Sequence, residues 1–299
     1  RWAAFFMQFP DHLQRHLERG ASFRDAGRYR GRFAPSPTGV LHLGNLQTAL
    51  LSWLAARQLG GDWLLRIDDL DTPRNRSGAI EAIQMDLTWL GLNWDGPVIL
   101  QSQRRGIYAS WLSWLRRSGK LFACRCSRRE LTGQPIYPGT CRRAERGWGW
   151  KQKRLPSWRL QVPAADRFGS GDVVLRRADG FIAYQLATVV DELCFGITDV
   201  VRGEDLREAL PAQCSVFAAL EQPPPRFHHG PLLCDGHGMK LSKRDGSSGL
   251  ELLRHQGLSP AAVIGQLAAA LQLVDPGDEL TAQELLIHMD QESISVLHS

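Results

Sequence analysis

The run Arg32-Phe33-Ala34-Pro35-Ser36-Pro37-Thr38-Gly39-Val40-Leu41-His42-Leu43-Gly44-Asn45 restricts the folds open to this chain more than any other stretch. Its residue types read as a strand, a loop stiffened by two prolines, and a helix opening at His42-Leu43-Gly44. Such a junction turns the unsatisfied N–H groups of a helix's first turn, and the positive end of its dipole, toward open space. Phosphate groups bind at such ends. Gly39 and Gly44 place no side chain in the way of a close approach.

From residue 28 onward, short apolar strands alternate with amphipathic helices. Residues 46–59 carry apolar side chains at helical spacing, 63–67 read as strand, and 78–90 as helix again. Alternation of this kind predicts a parallel α/β sheet. Near Arg104 the rhythm gives way to a basic stretch rich in Gly and Pro, and it resumes at 173–175, 181–190 and 197–201. A doubly wound domain carrying an insertion accounts for the break. The expected division is an N-terminal extension of poor order (1–28), a first catalytic half (29–103), the inserted subdomain (104–180), a second catalytic half (181–255) and a helical C-terminal stub (256–299). Within that stub, Ser259-Pro260 is a helix start, and Thr281 with Glu284 forms a capping box.

Charge is unevenly spread. The 299-residue chain carries a net +5, yet residues 104–159 hold 15 Lys or Arg against the two acids Glu130 and Glu145. Trp148, Trp150 and Trp158 lie inside that window. Cations interleaved with aromatics suit phosphate contacts plus base stacking, and a solvated basic face is the alternative. No apolar run approaches the roughly 18 residues of a membrane helix, so no membrane association is expected. The apolar cluster at residues 2–9 is too short and too early for a secretory signal, and an upstream extension is the preferred reading. Of six cysteines, Cys194, Cys214 and Cys234 sit among apolar neighbours as core residues. A chain of this size needs no disulfide staples, so a reducing, cytoplasmic setting is expected.

A second candidate for phosphate binding is Lys240-Leu241-Ser242-Lys243-Arg244, flanked by Gly236, Gly238, Gly246 and Gly249. Two lysines around a serine can hold phosphate oxygens and release them as a loop opens. The first run resembles the nucleotide-binding signature of class I aminoacyl-tRNA synthetases of the glutamyl type, and the second resembles their KMSKS loop. The resemblance implies a Rossmann-like parallel sheet and an ATP-dependent ligase that uses Mg2+ with the nucleotide. It implies ATP contacts from Pro35, Thr38, Gly39, His42, Gly44, Asn45 and His229, together with Lys240, Ser242 and Lys243. His42, Lys240 and Lys243 take the catalytic part in that reading. L-glutamate would be held by Arg32, Phe33, Ala34, Pro35 and Ser36, by Asp68, and by Tyr184 and Arg202. Two arginines, one acid and a tyrosine hydroxyl complement two carboxylates and an ammonium group. The family usually has Glu where Asp68 stands, and a second histidine where Asn45 stands.

Cys124 and Cys126, one residue apart, and Cys141 after a turn can converge on zinc as thiolates, with three free thiols as the alternative. The fourth ligand is not evident from spacing. Resemblance to the glutamyl-queuosine tRNA(Asp) branch of the family supplies Tyr137 for that place and implies one structural Zn2+. About fifty-five residues follow the lysine loop, too few for a separate anticodon-reading domain of roughly 100 residues. That branch activates glutamate without tRNA and esterifies it onto queuosine at the first anticodon position of tRNA(Asp). The implied partners are therefore queuosine-bearing tRNA(Asp) and L-glutamate, with no protein partner. The alternatives are a truncated glutamyl-tRNA synthetase charging the 3′ end of tRNA(Glu), and a catalytically silent, zinc-stabilised RNA-binding protein.

Overall fold

A computed structural model describes residues 9–144, 146–151, 153–163, 168–230 and 250–289. The elements run α1 (Asp11–Asp25), β1 (Arg30–Phe33), α2 (Leu43–Gln58), β2 (Asp62–Ile67), α3 (Ala79–Trp89) and β3 (Ile99–Leu100). Next come α4 (Arg105–Arg117), β4 (Leu121–Cys124), β5 (Ser157–Leu160), β6 (Val173–Arg176), α5 (Tyr184–Cys194), β7 (Asp199–Gly203) and α6 (Leu210–Ala219). The chain continues through β8 (Arg226–Gly230), α7 (Leu250–His255), α8 (Pro260–Ala270) and α9 (Ala282–His288). It divides into two compact units. One holds the described residues of Arg1–Ser22, Ser102–Gly196 and Glu208–Pro224; the other holds those of Phe23–Gln101, Ile197–Arg207 and Pro225–Ser299.

The second unit carries the parallel strands that the sequence predicts. Strands β1, β2 and β3 lie side by side in that order, from Arg30 opposite Asp62 to Ile67 opposite Leu100. Strands β7 and β8 form a further parallel pair in which Arg202 faces His229. Helix α2 is buried nearly all round, with Leu46, Leu50, Leu51, Trp53 and Leu54 at 4% exposure or less. It is therefore a core helix rather than an amphipathic one, because α8 and α9 cover the side that would otherwise face water. Val263, Ile264, Leu267 and Leu285 belong to the same apolar cluster as Leu46 and Trp63, so the C-terminal segment is part of this core. The helix starts follow local chemistry. Ser259 Oγ accepts from Ala262 N at 3.0 Å, and Thr281 with Glu284 completes the expected capping box.

The first unit is built on an antiparallel sheet, β4-β5-β6, with α4, α5 and α6. Asp191, fully buried on α5, accepts from Arg104 Nε at 2.6 Å and from Tyr108 Oη at 2.8 Å. That charge is tolerable inside because both its oxygens are bonded. The bonds fix α5 to α4, so α5 groups with residues 102–196. Asp11–Asp25 is a correction to the expectation of poor order. Leu13, Leu17 and Gly20 share one face and are buried. A Cβ on Gly20 would stand 1.7 Å from the Leu193 carbonyl oxygen, so the missing side chain lets α1 dock. Three buried positions among charged neighbours give too weak a periodicity to be seen in sequence.

Candidate active site and metal centre

The proline loop leaves β1 at Phe33, which is buried, and returns at α2. Pro35 and its carbonyl tie the loop to the acid candidate, since Asp68 N donates to Pro35 O at 3.0 Å. Ala34, Thr38 and Gly39 are half-buried and Ser36 is exposed. Gly39 has φ +147°, and nothing lies within 4 Å of where a Cβ would stand, so glycine answers to backbone conformation there and not to crowding. His42 is the N-cap of α2, and its Nδ1 accepts from Asn45 N at 3.2 Å. With Nδ1 accepting, the neutral ring carries its proton on Nε2, which can donate. A Cβ on Gly44 would lie 3.2 Å from this imidazole, so Gly44 makes room for the cap. The cap uses the main chain of Asn45, and the departure from histidine at that position leaves it intact.

The charged groups expected to hold an amino acid sit at strand ends of the second unit. Arg32 on β1 is 4% exposed and donates from Nη1 to Val201 O at 3.3 Å. Arg202, the next residue on β7, is 2% exposed, donates from Nε to His229 Nε2 at 3.1 Å, and lies 4.8 Å over the Phe227 ring. An acceptor imidazole must be neutral, and burial, followed by the charges of Arg202 and Arg207, pushes the pKa of His229 down. His229, expected at the nucleotide, therefore orients Arg202. Asp68, just past β2, is gripped by Arg66, with Nε to Oδ1 at 2.7 Å and Nη2 to Oδ2 at 3.2 Å. Sequence reading passed over Arg66. The signal was present, because residues two apart on an extended chain share a face. Tyr184 opens α5 in the other unit, after Ala183 as N-cap. Lys240, Ser242 and Lys243, like Cys234, lie outside the described residues.

Asp199 is a buried anchor that the sequence did not reveal. It accepts two bonds from Arg226 at 2.8 Å, one from His228 Nε2 at 3.1 Å and one from Thr198 Oγ1 at 2.7 Å. Thr198 in turn accepts from Arg30 N at 2.8 Å and donates its own N–H to Arg30 O at 2.9 Å. The cluster thus joins the start of β7 to β1, the strands that carry Arg202 and Arg32. Burial alone would raise the Asp199 pKa, but hydrogen bonds from His228, Arg226 and Thr198 outweigh it and hold the carboxyl down at about 2. A pKa depressed by folding adds stability that is complete above the unfolded value near 4 and is lost as pH falls toward 2, here about 2 kcal/mol. Asp199→Asn should therefore flatten the loss of stability between pH 4 and pH 2 in urea titrations. An unchanged acid limb would show that the carboxylate does not anchor the strands.

In the first unit Cys124, Cys126 and Cys141 bring their sulfurs within 4.8 Å of one another. Tyr137 Oη lies 3.4 Å from Cys124 Sγ and 3.6 Å from Cys126 Sγ, and the Cys126 and Cys141 sulfurs are 3.6 Å apart. A tetrahedron with zinc–sulfur bonds of about 2.3 Å and a zinc–oxygen bond of about 2.0 Å has edges of roughly 3.5 to 3.8 Å, which these three separations match to about 0.1 Å. Three sulfurs favour zinc over a harder cation. Around them, Cys141 N donates to Tyr137 Oη at 2.8 Å and the Arg159 guanidinium lies 4.1 Å over the Tyr137 ring. Both stabilise negative charge on the phenol oxygen. Burial raises the Cys126 thiol to about 11 and moves Tyr137 above its ordinary range. Burial also acts upward on Cys141, but bonds from the Tyr137 hydroxyl and the Arg125 N–H bring it to about 7. Cys194 and Cys214 are buried in the core and form no disulfide. Among the described residues, the cysteine group is the one cluster suited to a metal, and His228 and His229 are engaged elsewhere.

A parallel sheet, a capped helix start beside a proline loop, and buried arginines at strand ends define a nucleotide-dependent ligase of the class I type. The chain belongs to the tRNA synthetases class I (E and Q), catalytic domain, which it matches over residues 28–136 and 160–297. It is 73% identical over 293 residues to the Glutamyl-Q tRNA(Asp) synthetase of Synechococcus sp. (strain CC9605), a match covering 98% of this chain and all of that one. The Glutamyl-Q tRNA(Asp) synthetase of Symbiobacterium thermophilum is 41% identical, covering 86% of this chain and 90% of the relative. Among solved structures, a glutamate tRNA ligase from Elizabethkingia meningosepticum in complex with its amino acid superimposes with a TM-score of 0.71 at 27% identity. That match covers 88% of this chain and 65% of the ligase, so the chain spans about two thirds of the ligase's length.

Proposed function

We propose that this protein activates L-glutamate with ATP and Mg2+, without tRNA, and transfers the glutamyl group to queuosine at the first anticodon position of tRNA(Asp). The observation that carries the reading is the 73% identity, across 98% of the chain, to a relative of that name. The chemistry asks little of proton transfer. A glutamate carboxylate, already ionised, attacks the α-phosphate; a bond forms to carboxylate oxygen and pyrophosphate leaves. Catalysis is then positioning and neutralisation of the charge moving onto the leaving group. The start of α2, with the Nε2–H of His42, receives phosphate oxygens, and Lys240 and Lys243 neutralise the triphosphate. Arg32 and Arg202 take the two carboxylates, and Asp68 takes the ammonium group. The Arg66 grip holds the shorter acid at Asp68 in one orientation. A hydroxyl of the cyclopentenediol ring then attacks the acyl carbon, and AMP departs.

Zinc is the resident metal in this reading, held by Cys124, Cys126, Tyr137 and Cys141 with a structural part to play. The cytoplasm is the inferred setting; no described helix is long and apolar enough to cross a membrane. Purified protein, ATP and labelled glutamate should put label onto tRNA(Asp) that carries queuosine and leave unmodified tRNA(Asp) and tRNA(Glu) unlabelled. Label on tRNA(Glu), or equal label on tRNA(Asp) with and without queuosine, would overturn the proposal.

A further inference from the structure

The basic stretch contains one tryptophan that packing does not explain. Among the described residues Trp150 is the exposed tryptophan, at 72%. Its neighbours in the stretch are engaged: Trp148 meets Trp158 edge-on at 5.1 Å, and Arg116 lies over both rings. An indole on a mobile loop can fold back onto the protein. Here the main chain on either side of it is restrained. The Arg125 guanidinium donates to the carbonyls of Arg146 (2.8 Å), Gly147 (3.2 Å), Gly149 (2.5 Å) and Arg154 (3.2 Å). Arg154 returns two bonds, to Arg125 O at 3.0 Å and Cys126 O at 2.9 Å. Lys151 and Arg154 also exchange backbone bonds at 3.1 Å, which closes a tight turn whose Lys153 holds φ +58°. That left-handed value costs a lysine more than it would cost glycine, and the turn keeps the cation.

The loop therefore presents one exposed indole on a hydrogen-bonded main chain, alongside the exposed Arg146, Lys151 and Lys153. Against the four cations Arg146, Lys151, Lys153 and Arg154 stand two acids, Glu145 beside Arg146 in sequence and Glu130, which feels the charges of Arg154 and Arg146, so the loop keeps a positive surplus. A partner that stacks on an aromatic ring and brings closely spaced negative charges is an unpaired stretch of RNA. An acidic peptide would satisfy the cations and leave the indole without its flat counterpart.

We propose that Trp150 is a stacking platform for an unpaired base of the RNA substrate, with Arg146, Lys151 and Lys153 contacting the flanking phosphates. The proposal rests on the functional reading in that it takes the anticodon loop of tRNA as the occupant. Binding of the full-length protein to an RNA hairpin with the sequence of the tRNA(Asp) anticodon arm tests it, with a blunt RNA duplex of equal length as control. Trp150→Ala is expected to weaken hairpin binding about tenfold and duplex binding hardly at all, and Trp150→Phe to keep most of the affinity. Its melting temperature and its tRNA-independent exchange of pyrophosphate into ATP should match those of the unaltered protein. Replacing Lys151 and Lys153 by Gln should flatten the dependence of log affinity on log salt by roughly 0.7 for each phosphate no longer neutralised. Parent-like hairpin affinity in Trp150→Ala would overturn the proposal, as would equal losses on hairpin and duplex. So would a dimer of the unaltered protein that Trp150→Ala abolishes, since the indole would then serve a second copy. Trp150-dependent hairpin binding by a protein that transfers no glutamate to tRNA(Asp) would uphold this surface while removing the functional reading.

Discussion

Arg202→Ala should lower kcat/KM for glutamate in ATP–pyrophosphate exchange by about 10²–10⁴-fold, mostly through a rise in KM. Arg202 is 2% exposed, so water cannot take over for a missing guanidinium. Breaking one member of a buried charge pair costs about 3–5 kcal/mol, which is the source of that range. The residue is also held in place, by His229 at 3.1 Å on the facing strand and by the Phe227 ring beneath it. Arg202→Lys keeps the charge and loses both the fork and the bond from Nε, so it should recover only part of the activity. Arg202 also bears on selectivity. Glutamine would leave a buried cation without its anion, and Arg202→Ala should therefore narrow the preference for glutamate over glutamine. A kcat/KM for glutamate within threefold of the unaltered enzyme would place the amino-acid site elsewhere.

Cys141→Ser should abolish zinc binding, taking metal content by elemental analysis from about one ion per chain to near none, and should lower the melting temperature by more than about 5 °C. The residue is 2% exposed, and its sulfur lies 3.6 Å from that of Cys126. Its loss would leave Tyr137, Cys124 and Cys126 without a common cation, and burial would then favour the protonated Cys126 thiol and Tyr137 hydroxyl. Damage should extend past the ligands. Arg125 lies between Cys124 and Cys126 and grips the loop that bears Trp150, so the substitution should loosen that loop. A chelator applied to the unaltered protein should produce the same drop in melting temperature. Zinc-free protein, prepared with metal and reductant present and melting as the substituted form does, would remove zinc from the account.

Local chemistry made parts of this protein readable in advance. His42 caps α2 where proline and glycine marked a helix start, and Thr281 caps α9 because a box of that kind needs only four consecutive residues. The cysteine group converges as its spacing allows, since Cys124 and Cys126 lie at the end of one strand. Other parts depended on packing that no short window contains. Arg66 reads as one more strand residue until its grip on Asp68 is seen. Gly20 is an unremarked residue in a charged helix until Leu193, far along the chain, comes against it. Helix α2 reads as amphipathic because nothing near it in sequence announces that α8 and α9 will cover its outer side.

By itself the sequence determined the residue types and local geometry of the chemistry: a capped, glycine-bearing helix start for phosphate, thiols at metal spacing, a basic stretch with aromatics, and the family to which the chain belongs. The tertiary structure alone decided which distant groups act together. Arg32 reaches Val201, Arg202 is oriented by His229, and Asp199 locks the strands that carry both arginines. The physical reason is strand order and register. A side chain's neighbours across a sheet depend on which strand lies alongside and in what alignment, and that is set by burial summed over the whole core rather than by any local pattern.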